Sequence, residues 1–76
     1  MNEGLSKVPD DRLKALLRGL HRGSLAAPLT AVELARHGLQ DYAEPLLGVL
    51  RGVEARGVKA VVVAVLAERE ALRPRD

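Results

Sequence analysis

The sequence predicts an all-α fold, a small bundle of about five short helices whose last helix is central and strongly apolar. Three observations carry that expectation. Leu13, Leu16, Leu17 and Leu20 recur at the spacing of one helical face. Thr30 and Asp41 each stand where a side-chain oxygen caps a helix start, with Glu33 and Glu44 three residues further on. Residues 60–67 form an unbroken block of Ala, Val and Leu, which as a helix is apolar all the way round and must be surrounded by protein.

The elements can be justified in chain order. Pro9 suits a first helical turn, and Asp10 and Asp11 set carboxylates against the positive helix end, so a helix begins there. Opposite its leucine face run Asp11, Lys14, Arg18 and Arg22, a charged ridge. Gly19 and Gly23 weaken the far end, and the helix is expected to stop between His21 and Gly23. Residues 24–29 read as a connector, because Pro28 disfavours helix at Ala27. Thr30 opens a short helix that reaches His37 before Gly38 ends it. Asp41 is the expected cap of the next helix, with Pro45 in its first turn and Leu46, Leu47, Val49 and Leu50 following until Gly52.

Residues 53–72 are ambiguous by propensity, since the triplet Val61, Val62 and Val63 favours strand. Their length, their wealth of Ala, Leu, Glu and Arg, and the lack of a strand to pair with decide for helix. Gly57 is expected to divide this segment into a short turn of helix and a long final one.

A chain of 76 residues is a single domain of marginal stability with little room for a deep catalytic cleft. Residues 1–8 and 73–76 read as flexible tails. The core must be built from Leu, Val and Ala, as Phe, Trp, Cys and Ile are absent and Tyr42 is the one large aromatic. Without cysteine there is no disulfide and no thiolate nucleophile, which fits a reducing cytosol. No apolar run is long enough to span a bilayer and the first residues lack a signal-peptide pattern, so a cytoplasmic location is expected. The net charge of +2, with both signs interspersed, points to neither nucleic acid nor membrane. The excess of Arg over Lys, with abundant Ala, Leu, Gly and Val, is the composition of a high-GC bacterial genome.

Reactive chemistry is sparse. His37 follows Glu33 by four residues, but two side chains do not make a metal site. Ser6 and Ser24 lack a nucleophile-elbow context and a base. Residues 19–24 have neither the glycine spacing nor the lysine of a phosphate loop. Asp10, Asp11, Glu68 and Glu70 read as helix-end and solvated charges. No catalytic residue, metal ligand or cofactor is therefore expected, and the chain is not expected to be an enzyme.

Thr30, then Glu33, Leu34 and Ala35, then Gly38 and Leu39, then Leu46 or Leu47 resembles the order of residues in bacterial helix-turn-helix proteins. The spacing departs from it, for Ala35 and Gly38 are three apart where the family has four. The second helix also offers Asp41 and Glu44, which phosphates repel, and only Gln40 and Arg51 could contact DNA. Over residues 9–72 the length, helix order and composition are similar to the small death-fold-like, CARD-like adaptor domains of bacterial defence and effector systems. That resemblance rests on pattern, shares no residue signature, and implies recruitment or oligomerisation through helical-bundle contacts, homotypic or heterotypic. The expected interface residues are a basic ridge of Lys14, Arg18 and Arg22, an acidic set of Asp41, Glu44 and Glu54, and the outward small residues Val63 and Ala67. Helix-turn-helix DNA binding is the alternative function.

Overall fold

The computed structural model describes residues 3–73, which form an all-α bundle. Among these residues there are four α-helices, α1 (Asp10–Arg22), α2 (Ala31–Arg36), α3 (Ala43–Leu50) and α4 (Ala55–Leu72), with 3₁₀ turns at Glu3–Lys7 and Gln40–Tyr42 and no strand. α1 packs along α4, while α3 packs on the N-terminal 3₁₀ turn and on α2. The resulting body measures 40 × 23 × 21 Å.

Local chemistry explains most boundaries. α1 starts after Pro9 with Asp10 and Asp11 in its first turn, and ends at Arg22 because Gly23 adopts φ 79°, a left-handed angle that favours glycine. The Thr30 hydroxyl accepts a hydrogen bond from the Glu33 amide at 3.2 Å, so the expected cap forms. Gly38, at φ 72°, then turns the chain away from α2. The expected cap at Asp41 does not form. Asp41 lies inside the second 3₁₀ turn, and α3 begins two residues later without a side-chain cap. Nor does Gly57 divide the last helix, since α4 is continuous from Ala55. A Cβ at position 57 would stand 2.7 Å from Val53 Cγ1, so glycine lets Val53 fold over the first turn of α4.

The core is aliphatic. Leu13, Leu16 and Leu20 of α1, Leu34 of α2, Leu46 and Leu50 of α3, and Val58, Val62 and Val65 of α4 are buried together with Leu25, Leu29 and Leu39 from the connections. Leu17, expected on the same face, is only half-buried.

Two expectations about the chain's extremes are corrected. Residues 3–8 are not a tail: Leu5 and Val8 are 0% and 1% exposed and complete the core. The segment is held by its packing on α3, where Gly4 comes so close that a Cβ would meet Val49 Cγ2 at 2.8 Å. The last helix, in turn, is not apolar on all sides of a central position. It buries Val58, Val62 and Val65 but exposes Ala60, Val63, Ala64 and Ala67, and Leu72 is 76% exposed. A bundle of this size has helices for one face of α4 only. The core ends at Val65, and one turn later the inward position is held by Arg69. Of the expected C-terminal tail, residues 74–76 lie outside the described residues, while Arg73 is ion-paired to Asp10 and Glu70. Among the described residues no helix is long and apolar enough to cross a membrane.

Candidate interaction surface

α1 and α4 run antiparallel, and their two junctions differ in chemistry. At one, Arg69 reaches back from α4 to the start of the chain. Its Nη1 donates to the Val8 carbonyl at 2.7 Å and to Asp10 Oδ1 at 2.6 Å, and its Nη2 donates to the Leu5 carbonyl at 2.8 Å. Arg73 Nη2 donates to the other oxygen of Asp10 at 2.8 Å and Nη1 pairs with Glu70 at 3.1 Å. The Asp10 carboxyl is held below the usual carboxylate range, chiefly by the hydrogen bond from Arg69. The nearby charges of Arg69, Arg73 and Lys14 push the same way, and partial desolvation opposes them.

The other junction is open. A groove of about 550 Å³ lies between the C-terminal half of α1 and the N-terminal half of α4, lined by Leu17, Arg18, His21, Arg22, Lys59 and Val63. Leu17 and the half-exposed Val63 give it an apolar floor, and three cations stand around it with no carboxylate in the lining. Among the described residues Arg18, Arg22 and Lys59 have no ion-pair partner. Exposed aliphatic surface beside solvent-accessible cations suits a partner that is apolar with an anionic edge.

A second depression, of about 580 Å³, is lined by Asp41, Tyr42, Glu44 and Pro45 together with Gly4, Lys7 and Gly48. It is acidic on balance and shares no residue with the groove.

The structure thus brings together Arg18, Arg22 and Val63 in one groove, and Asp41 and Glu44 in one depression. Lys14, Glu54 and Ala67 are exposed but line neither, Glu54 standing just ahead of α4. Sequence reasoning missed Lys59, which precedes Val63 by one helical turn and so shares its side of α4. It also missed Arg69, a cation seven residues after Val62 and therefore on the core face of an amphipathic helix. That misplaced charge was the legible signal.

The histidine and carboxylate pairs do not converge on a metal geometry. His37 Nε2 lies 3.1 Å from the Ser24 carbonyl and Glu33 pairs with Arg36 at 3.5 Å. Among the described residues no group of three or more His, Cys, Asp or Glu side chains could hold a metal ion. Ser24 Oγ donates to the Gly19 carbonyl at 3.4 Å, an internal contact of the turn after α1. Comparison with known proteins adds no relative: no family model, no curated protein and no solved structure matches this chain.

Proposed function

We propose that this domain is a protein-interaction module, a cytoplasmic recruitment or oligomerisation unit without catalytic activity of its own. The observation that carries the reading is the groove between α1 and α4, where an apolar floor lies beside three cations that have no ion-pair partner among the described residues and no carboxylate in the lining. Leu17 and Val63 supply area whose removal from water is favourable, and Arg18, Arg22 and Lys59 select an acidic counterpart. Sedimentation velocity across a concentration series tests it. The expected result is a mass that rises with concentration and falls back on Val63→Glu, with helical circular dichroism retained because Val63 is half-exposed. A wild type that stays monomeric up to millimolar concentration, and is unaltered by Val63→Glu, overturns the homotypic form of the reading.

Helix-turn-helix DNA binding is the competing reading, favoured by the order of a capped α2, a left-handed Gly38 and α3. Against it, α2 has six residues, and the one polar side chain on α3 is Glu44, which phosphates repel. Titration into labelled duplex at physiological salt is expected to give only weak, salt-sensitive, sequence-independent binding. Tight binding that survives competitor duplex and is lost on Arg51→Ala would reverse the ranking.

A further inference from the structure

The groove lies along one flank of α4, and that flank carries its own complement. Lys59 lines the groove, and Glu70, exposed, follows it by eleven residues, three helical turns. Both therefore project from the same side of α4, about 16 Å apart along its axis. Between them the outward face bears Ala60, Val63, Ala64 and Ala67, all exposed. The cationic end of this flank is reinforced by Arg18 and Arg22 of α1.

We infer that the occupant of this surface is a second copy of the chain, its α4 laid antiparallel across the first about a two-fold axis near Ala64. This rests on the interaction-module reading above. In antiparallel helices related by such an axis, side chains on one flank of the first helix meet side chains on the same flank of the second. The midpoint of Lys59 and Glu70 falls beside Ala64, so placing the axis there sets Lys59 of each copy against Glu70 of the other, twice. Each Glu70 then also nears the mouth of a groove rimmed by Arg18 and Arg22. Among the described residues the Glu70 carboxylate is ion-paired to Arg73 at 3.1 Å, an exposed pair of the kind that stabilises little and exchanges readily.

Steric fit agrees with the charge. Ala60, Ala64 and Ala67 carry no side chain beyond Cβ, which allows two helix axes to approach at the short end of the roughly 8–10 Å range. Val63 fills the space between the partner's Ala64 and Ala67. Arg56, on the same face ahead of Lys59, reaches the C-terminal end of the partner's α4, where the helix dipole favours a cation. Parallel packing would put the two Lys59/Glu70 flanks on opposite sides of the seam, where neither charge meets its complement, so the charges favour the antiparallel arrangement. The contact is isologous, so it closes at two and leaves the acidic depression of Asp41 and Glu44 outside it.

Sedimentation equilibrium on the full chain, with charge reversals, tests the arrangement. The wild type is expected to reach a limiting mass of two chains. Lys59→Glu and Glu70→Lys each turn two attractions into two repulsions and are expected to raise the dimer dissociation constant about tenfold or more, while the double variant regains most of the wild-type value. Neither Lys59 nor Glu70 is buried, and circular dichroism verifies that each variant folds. Mass that keeps growing past two, and responds to Asp41→Lys but not to Glu70→Lys, overturns the two-fold dimer while leaving the interaction module standing. A monomer at every concentration overturns the two-fold dimer together with the homotypic form of the interaction-module reading. Dimers that ignore Lys59→Glu and Glu70→Lys place the contact elsewhere and also overturn the inference.

Discussion

At one end of the α1/α4 pair two arginines bind a single carboxylate and two backbone carbonyls; at the other end two arginines and a lysine face solvent across an apolar groove. The residue type is the same and the roles are opposite. Arg69 projects from the core side of α4, so its guanidinium is brought under the backbone of residues 5–8, where donors in a planar fork match carbonyl and carboxylate together. Arg18 and Arg22 project from the side of α1 away from Leu13, Leu16 and Leu20, and among the described residues both are exposed. Helical phase, more than residue identity or net charge, separates the structural cations from those free to meet a partner.

The largest effect that bears on this contrast comes from the core both ends share. Leu16→Ala is expected to cost about 2–5 kcal/mol in urea denaturation, enough to unfold much of so small a domain. Leu17→Ala, on the half-buried groove floor, is expected to cost under about 2 kcal/mol. Equal losses would mean that the groove floor is core.

Arg69→Ala comes next. It removes a charged donor from two carbonyls and a carboxylate, and a loss of about 2 kcal/mol is expected by the same measurement. Arg69→Lys is expected to recover less than half, because a single ammonium does not reproduce the fork. Full recovery by lysine would reduce the contact to simple charge neutralisation.

Asp10 sharpens the comparison through pH. Its carboxyl titrates below its ordinary value in the folded chain, mainly through the hydrogen bond from Arg69. A depressed folded pKa means that the contribution is present above the unfolded value, about 3.9, and fades as pH falls through the folded one. The stability gap between wild type and Asp10→Asn is therefore expected to be full near neutrality and to narrow below about pH 4. A gap that is flat down to about pH 2 would remove the ionised carboxylate from the account.

The smallest expected change is the most discriminating. Arg18→Glu should leave stability within about 0.5 kcal/mol of wild type while weakening self-association. A large loss of stability would give Arg18 the structural role that Arg69 holds and erase the contrast between the two ends.

These differences also mark what could be read from the residues. Helix starts and stops were legible where a local device sets them, as at Pro9, Gly23, Thr30 and Gly38, because caps and left-handed glycines act within four residues. Asp41 misled because a 3₁₀ turn used the same residues in another way. Residues 3–8 looked like a tail because two apolar side chains three apart show no period; what orders them is α3 and an arginine more than sixty residues away. The Val and Ala block of α4 suggested a central helix, but apolarity alone does not supply neighbours on both sides, and its outward residues Val63 and Ala67 are exposed. Of the expected surface, the pairing of Arg18 with Arg22 followed from their spacing on one helix. The addition of Lys59 needed the antiparallel docking of α1 on α4.

The contact between Arg69 and the carbonyls of Leu5 and Val8 spans 64 and 61 residues of sequence. It brings the first and last described segments to the same end of the bundle, which makes the chain a near-closed ring. A short flexible linker joining the two ends, with new termini cut into the exposed turn at Gly23 and Ser24, is a permutation this geometry tolerates. For the same reason a protein fused before residue 3 or after residue 73 hangs from the stapled end, with the groove at the opposite end pointing away from its cargo.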